Sequence, residues 1–406
     1  MSLSRRSFLR RSALAGAAAG LGAADLASGD GATTADAQRA GLREHVPFDG
    51  AHQAGIVTPA AEHATLASLD AIAPDRATLL GALTQLSGQA RALTAGYAFG
   101  QHDRDEPPPD SGMLGTRVTP DALTVTIAFG ASLFDDRFGL HDKRPAGLVE
   151  MPRFPGDEID PDRAHGDILV TLNANQRDTV LHAMRELLRP LRGALAVRWT
   201  LDGFLSADRG PSARSSRRNL FGFRDGTSNP TGAQRDALLW LPRSAGWAAG
   251  GTFQVVRVIR QHVEFWDRVG LLEQENMIGR DRDSGAPLGG SSEFENPHYE
   301  QDPKGERIPL DAHIRLANPR TPQTESQRIV RRGFNYHRGV DAAGQLDDGL
   351  IFTAFNRSIQ DQFEVVQKRL AGEPMTDYIT PVGGGYFFAP RGARGAPDWV
   401  GSGLQS

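Results

Sequence analysis

Leu123-Thr124-Val125-Thr126-Ile127-Ala128-Phe129 alternates large apolar side chains with small or polar ones over its whole length. A period of two is typical of a β-strand with one face in the core and one in solvent, so we predict a half-buried strand here. Downstream, residues 168–172 and 194–201 predict two further strands. Residues 175–188 between them predict a helix, with Asn173 or Asn175 as the N-cap.

The residues before this stretch show the same kinds of pattern. Two short strands are predicted at 52–57 and 65–72. Pro74 then begins a helix, because Pro is favoured in the first turn and the following apolar side chains recur at helical spacing. These apolar residues are Leu79, Leu83, Leu86, Ala90 and Leu93.

The second half of the chain repeats this order. Strands are predicted at 252–259, 350–355 and 385–389, and helices at 264–278 and 361–370. Two β-α-β units in each half predict an α+β fold. Its two ferredoxin-like modules have antiparallel sheets and pack together.

The length of 406 residues allows two or three domains at roughly 150 residues each. We assign residues 45–230 to an N-terminal module and residues 231–400 to a C-terminal module. A polar stretch at 279–309 is longer than connections usually need, so it is predicted to be either functional or disordered.

Residues 1–37 have the layout of a twin-arginine export signal. Ser4-Arg5-Arg6-Ser7-Phe8-Leu9-Arg10 precedes a short, uncharged, Ala/Gly-rich run, and Ala35-Asp36-Ala37 offers a cleavage site between small residues. The alternative is a disordered Arg/Ala-rich tail. The signal predicts passage through the twin-arginine translocase to the periplasm, the cell envelope or the medium.

The composition excludes several classes of function. The chain has no cysteine, which rules out disulfides, thiolate nucleophiles, iron–sulfur clusters and covalently attached c-type haem. Any metal must therefore be held by His, Asp, Glu or a cofactor. The net charge of −4 provides no basic field that would recruit nucleic acid.

The first of three segments that suggest chemistry is Gly222-Phe223-Arg224-Asp225-Gly226-Thr227-Ser228-Asn229-Pro230. Glycines on both sides of an acid let the backbone approach a flat ligand while one carboxylate points at it. An ordinary Asp-Gly turn is the alternative.

The other two segments supply a histidine and arginines. Asp311-Ala312-His313-Ile314-Arg315-Leu316-Ala317-Asn318-Pro319-Arg320 places an imidazole, which can bind iron, beside guanidiniums, which can bind carboxylates. Residues 328–336 predict a short strand that delivers a guanidinium. Taken alone, His313 is better explained as a surface or core histidine than as a ligand, and the arginines could be a solvated charged face.

In combination and in this order, these segments resemble the motifs of the dye-decolourising haem peroxidases. The residues that carry the resemblance are the GFRDG motif at 222–226, HIRLANPR at 313–320 and RRGFNY at 331–336. Residues 52–56 and 381–388 resemble the same family, and the resemblance extends from about 48 to 390. It is strongest to the exported twin-arginine subgroup, which includes the deferrochelatase/peroxidase of bacterial iron-uptake operons.

The resemblance implies two ferredoxin-like modules with one pocket that binds one non-covalent haem b. His313 in the C-terminal module matches the proximal ligand of the haem iron. Asp225 matches the distal carboxylate, and Arg331 the distal arginine, with its neighbour Arg332 as the less favoured choice.

Further residues are implied around the haem. Glu373 stands where the family often has an acid hydrogen-bonded to the proximal histidine, and Asp377 is the second choice. Six residues match segments that lie along the haem edge: Gly226, Thr227, Ser228, Asn318, Pro319 and Arg320.

These roles imply a peroxidase that takes hydrogen peroxide and a small-molecule reductant such as a dye or phenol. Asp225 would move a proton between the two peroxide oxygens, while Arg331 would stabilise negative charge and bind the distal pocket or a propionate. An acid behind His313 would make the imidazole more electron-donating. A carboxylate that titrates at low pH would place the activity optimum in the acidic range.

Two alternatives use the same residues. A deferrochelatase would release iron from haem in the same pocket. A haem carrier without turnover would need only His313, so Asp225 and Arg331 argue against it. A homo-oligomer is also among the expected assemblies.

Overall fold

The computed structural model of the protein describes residues 40–210 and 215–405. The predicted export signal at 1–37 lies outside these residues. Among the described residues, no helix is long and apolar enough to cross a membrane.

Residues 43–210 form six strands and two α-helices. The helices are α1 (Arg76–Ala95) and α2 (Arg177–Leu188). The strands are β1 (His63–Ala71), β2 (Tyr97–Ala98), β3 (Arg117–Val118), β4 (Thr124–Gly130), β5 (Ile168–Ala174) and β6 (Leu195–Phe204).

Residues 215–405 form five strands and several short helices. The helices are α3 (Gly232–Leu239), α4 (Val263–Trp266), α5 (Leu271–Ile278), α6 (His313–Ala317) and α7 (Val365–Arg369), the last preceded by a π-helical turn at Ile359–Glu364. The strands are β7 (Thr252–Gln261), β8 (Val330–Arg331), β9 (Phe334–Val340), β10 (Leu346–Asn356) and β11 (Ile379–Ala389).

Each half forms a four-stranded antiparallel sheet with the same topology. The order is β4-β5-β1-β6 in the first half and β9-β10-β7-β11 in the second, and both correspond to the ferredoxin-like arrangement. The two sheets join at both edges, through β11 with β4 and β6 with β9. The predicted fold class is confirmed, while the module boundary at residues 230/231 stays a prediction.

The alternating stretch that forms β4 is buried on both faces, so the prediction of a half-buried strand is wrong. Val125, Ile127 and Phe129 pack into the core cluster that also holds helices α1 and α2. Thr124 and Thr126 are 2% and 1% exposed. Because the second sheet closes onto the first, the face with the small side chains lies inside the protein and not in solvent.

The predicted strand at 52–57 is also wrong, since these residues form turns. The Gln53 side chain takes the place of a strand beside β4. Its Nε2 donates to the Ile127 carbonyl, and its Oε1 accepts from the Ile127 N–H, each at 2.8 Å. Gly55 then turns the chain with a φ of 91°, where a Cβ would lie 2.3 Å from Thr126 Oγ1. Because a single side-chain amide makes these bonds to β4, no alternation of residues in the sequence predicts them.

Two helix details differ from the predictions. Residues 264–278 form α4 and α5 and not one helix, because the chain is extended at Gly270, which caps α5. The cap of α2 is Gln176, whose N–H donates to the Asp121 carboxylate at 2.9 Å. This acid lies more than 50 positions upstream, so neither predicted asparagine supplies the cap.

The polar stretch at 279–309 has little regular structure but is packed into the second half of the molecule. Arg280, Glu293 and Asp302 within it are each no more than 6% exposed. Asp302 accepts three of the backbone N–H groups that follow it, which fixes the loop without a helix or strand. The stretch is therefore a packed part of the protein and not a solvated linker.

Candidate active site

A cavity of about 1610 Å³, including its open mouth, lies within the second half of the chain. Strands β7 and β10 supply one wall, and helices α6 and α7 supply another. The lining is largely apolar, with Ile259, Ile314, Leu350 and Phe352 among its residues. An open cavity with a largely apolar lining suits a mostly apolar ligand.

His313, the first residue of α6, lies on the wall of this cavity next to Glu373. Its Nδ1 is 2.8 Å from Glu373 Oε2. The Glu373 side chain is 3% exposed, whereas that of His313 is 27% exposed. The ring nitrogen that remains, Nε2, is the one available to a ligand in the cavity. Asp377, the second choice from the sequence, is exposed.

The carboxylate of Glu373 controls the electrostatics of this imidazole. Burial disfavours the charged ring, but the charge and hydrogen bond of Glu373 outweigh it and raise the pKa of His313 above its ordinary value. A histidine that donates from Nδ1 to a carboxylate is held in one orientation and is a stronger electron donor at Nε2.

Asp225 and Arg331 lie in the same cavity and form an ion pair of 2.7 Å between Oδ1 and Nη1. Their charges act on the pKa of His313, which places all three groups in one electrostatic unit. Arg332, the less favoured choice, points elsewhere and donates to the carbonyls of Thr58 and Pro59. The structure thus brings Asp225 together with Arg331 and separates the two neighbouring arginines.

The residues that follow Asp225 hold its loop in place. Gly226 has a φ of 91°, a conformation that favours glycine, and it lets the chain turn directly after the acid. Thr227 Oγ1 donates to Glu293 at 2.9 Å. Ser228 Oγ accepts from Arg320 Nη2 at 3.2 Å. Thr227 and Ser228 line the cavity, whereas Gly226 lines a second, adjoining cavity.

The three predicted residues after His313 also differ in whether they line the cavity. Asn318 lines the cavity, but Pro319 and Arg320 do not. Arg320 instead has a φ of 57° and contacts the Asp225 loop through Ser228. It therefore links the histidine segment to the carboxylate loop without facing the cavity itself.

Sequence reasoning missed three residues that shape this site. Asn229 bonds both the N–H and the carbonyl of Arg331, at 2.9 and 2.7 Å. Glu293 accepts from Thr227 and forms an ion pair with Arg224. Arg280 lines the cavity and is 4% exposed.

Each of these missed residues lay in a region that the sequence had already marked. Asn229 sits in the Asn-Pro turn of the first segment, and the other two in the long polar stretch. The signal in the sequence was a polar segment that is longer than a connection needs and that contains an acid and arginines.

The arrangement fits haem. One imidazole nitrogen is available to iron, the walls are apolar, and a carboxylate and a guanidinium share the cavity with the histidine. Arg280 adds a buried positive charge of the kind that propionates neutralise. The cysteine-free chain offers no thiolate ligand.

Comparisons with known proteins agree with this geometry. Residues 53–205 match the model for the N-terminal part of Dyp-type peroxidases, and residues 216–394 match the model for the C-terminal part.

Curated relatives include the deferrochelatase of Escherichia coli (strain K12), which is 44% identical over 89% of this chain and 87% of its own. The deferrochelatase of Yersinia pestis is 42% identical over 94% of this chain and 89% of its own. The crystal structure of a DyP-type peroxidase from Cellulomonas bogoriensis superimposes with a TM-score of 0.80 at 34% identity, covering 90% of this chain and 99% of the other. The chain therefore belongs to the Dyp-type peroxidase family of haem-binding oxidoreductases.

Proposed function

We propose that the chain binds one non-covalent haem b through His313 and oxidises dyes, phenols or similar one-electron donors with hydrogen peroxide. The observation that carries this proposal is the placement of His313. Its Nδ1 is engaged by the buried Glu373, and its other nitrogen is left to a cavity that also contains Asp225 and Arg331. Peroxide and an electron donor are the substrates that the family implies.

Haem, when bound, would supply the redox chemistry. Asp225 would take a proton from one peroxide oxygen and return it to the other, which typically contributes about 10²–10⁴-fold to the rate. Arg331 would hold Asp225 in position through their 2.7 Å contact and stabilise negative charge that develops on the departing oxygen. Glu373 would orient His313 and keep the proton on Nδ1.

Iron release from haem is the second candidate function, favoured by the name of the curated relatives. At 42–44% identity they are called deferrochelatases. Both reactions would use the same cavity, so the products distinguish them. Purified protein incubated with haem and a reductant yields free protoporphyrin if it is a deferrochelatase, and the haem stays intact if it is a peroxidase alone.

We further propose export through the twin-arginine translocase, with the periplasm, cell envelope or medium as the destination. The Arg5-Arg6 pair and the Ala/Gly-rich run after it support this proposal. Replacing both arginines by lysine is expected to retain the protein in the cytoplasm, as measured by fractionation. A homo-oligomer, also proposed, is tested by light scattering on the purified protein.

The catalytic proposal is tested by a spectrum and a rate. The holoprotein is expected to show the Soret band of haem b and to decolourise a dye only when peroxide is present. Asp225→Asn is expected to keep the band and lose about 10²–10⁴-fold in kcat/KM for peroxide. The exposed Asp377 provides the matched control, Asp377→Asn. Equal rates for both variants would contradict the role of Asp225.

A further inference from the structure

Five arginines line the cavity, and they differ in how their charge is balanced. Arg224, Arg257, Arg328 and Arg331 each have a carboxylate oxygen at 3.6 Å or less. Within the described ranges, Arg280 has no such partner. It is nevertheless one of the most buried, at 4% exposure.

The hydrogen bonds of Arg280 satisfy only part of its guanidinium. Nη1 donates to the carbonyls of Gly285 and Glu293, at 2.6 and 2.9 Å. No acceptor among the described residues receives a hydrogen bond from Nε or Nη2. The guanidinium therefore hydrogen-bonds only to neutral carbonyls among the described residues, although it faces the cavity.

The surroundings make this charge costly. Burial has the largest effect on the pKa of Arg280 and lowers it. The charges of Arg320 and Arg331 act in the same direction, while Tyr299 and Glu293 oppose the shift without reversing it. A buried cation without an anion is strongly unfavourable, so proteins normally pair such groups. The cavity therefore favours a ligand that brings a negative charge to Arg280.

The backbone holds Arg280 beside the helix that begins with His313. Helix α5 is capped at its C-terminal end by Gly279, whose φ is 90°. A Cβ at this position would lie 2.6 Å from Ile314 in α6, so only glycine allows the chain to pass this close. This approach puts the next residue, Arg280, on the wall that it shares with His313.

We propose that Arg280 binds a propionate carboxylate of the haem and is the main charge partner of that group. This inference rests on the proposed function, since the haem is the source of the carboxylate. Arg331 is less suited to this task, because Asp225 already pairs with it. A guanidinium can donate two parallel hydrogen bonds to a carboxylate, which gives both affinity and a fixed orientation of the ligand.

The test compares haem with haem dimethyl ester, in which both propionates are uncharged. Holoprotein is prepared with each pigment, and its release to excess apomyoglobin is followed by absorbance. The variants are Arg280→Gln, which removes the charge, and Arg280→Lys, which keeps it. The control is Arg282→Gln, two positions away, because Arg282 is exposed and lies outside the cavity.

Arg280→Gln is expected to release haem about 10- to 100-fold faster than the wild type, the range for losing a hydrogen bond to a charged group. It should release the dimethyl ester at nearly the wild-type rate. Arg280→Lys should release haem at an intermediate rate, and Arg282→Gln at the wild-type rate.

Two outcomes would overturn the inference. If Arg280→Gln releases haem no faster than the wild type, or accelerates the release of haem and the ester equally, Arg280 does not bind a propionate. In both cases the pigment still binds, so the proposed haem function stands. If Arg280→Gln fails to fold, Arg280→Lys decides through the same ratio of haem to ester release. A wild-type protein that binds no haem would instead remove the proposed function itself.

Discussion

Each half of the molecule contains a histidine that is hydrogen-bonded to a carboxylate, but only one of these pairs faces a cavity. In the first half, His182 Nε2 lies 2.9 Å from Asp110 Oδ2, and both side chains are 1% exposed. In the second half, His313 Nδ1 lies 2.8 Å from Glu373 Oε2, and the imidazole is 27% exposed. The two contacts are nearly equal in length, so the contact itself does not distinguish a structural pair from a functional one.

The first pair is closed by its surroundings. Tyr97 and the Gly112 N–H also donate to Asp110, and the second ring nitrogen of His182 is buried without a partner among the described residues. Ligand atoms of Asp110, His182 and Glu186 lie within 4.8 Å of one another, as in a metal site. Each acid is already occupied by protein donors, so we interpret this group as a buried polar network.

The second pair leaves one nitrogen to the cavity. Glu373 occupies Nδ1 of His313, and α6 places the ring on the cavity wall. What separates a candidate ligand from a structural histidine is therefore the accessibility of the second nitrogen. The chemical type of the partner is the same in both cases.

The largest expected effect is the contrast between the two histidines. His313→Ala is expected to lose both the Soret band and peroxide turnover. His182→Ala should instead retain the pigment per folded molecule and lose about 2–4 kcal/mol of unfolding free energy, because it removes a buried side chain and one of the hydrogen bonds to the buried Asp110 carboxylate. Absorbance and urea unfolding measure the two effects. A colourless His182→Ala with a stable fold would contradict the comparison.

A smaller effect is expected for the carboxylates. Glu373→Gln should lower peroxidase kcat about 10- to 100-fold, because groups that orient a metal-bound histidine typically contribute this much. Asp110→Asn should leave kcat per haem unchanged. Steady-state rates at equal haem concentration test this difference. Similar losses in both variants would mean that the His182–Asp110 pair also affects catalysis at the site.

The smallest effect concerns stability in acid. Burial alone would raise the pKa of Asp110, but the hydrogen bonds from Tyr97, Gly112 and His182 together outweigh it and hold the pKa below its ordinary value. A lowered folded-state pKa gives stability that is present above the unfolded value of 3.8 and is lost as the pH falls through the folded value. The unfolding free energy of the wild type should therefore fall more steeply below pH 4 than that of Asp110→Asn. Parallel curves for the two proteins would refute this assignment.

Local patterns predicted much of the fold and of the site. The periodicity located strands β4, β5 and β7 and helix α1 to within a few residues, and the repeated order gave the two ferredoxin-like sheets. The motifs indicated His313 and Asp225, which the structure brings into one cavity.

The remainder depends on contacts between distant residues. Burial of both faces of β4 follows from closure of the two sheets, which no local period records. Gln53 satisfies Ile127 across 74 positions, and Asn229 holds Arg331 across 102. Likewise, no local pattern in the sequence shows that Arg280 lies in the cavity without a carboxylate partner among the described residues.

The most direct test of the account is the resonance Raman spectrum of the ferrous holoprotein, in the region of the iron–imidazole stretch. We predict this band in the wild type, a band at lower frequency in Glu373→Gln because the imidazole becomes a weaker donor, and no band in His313→Ala. A band that is unchanged in both variants would show that another residue binds the iron.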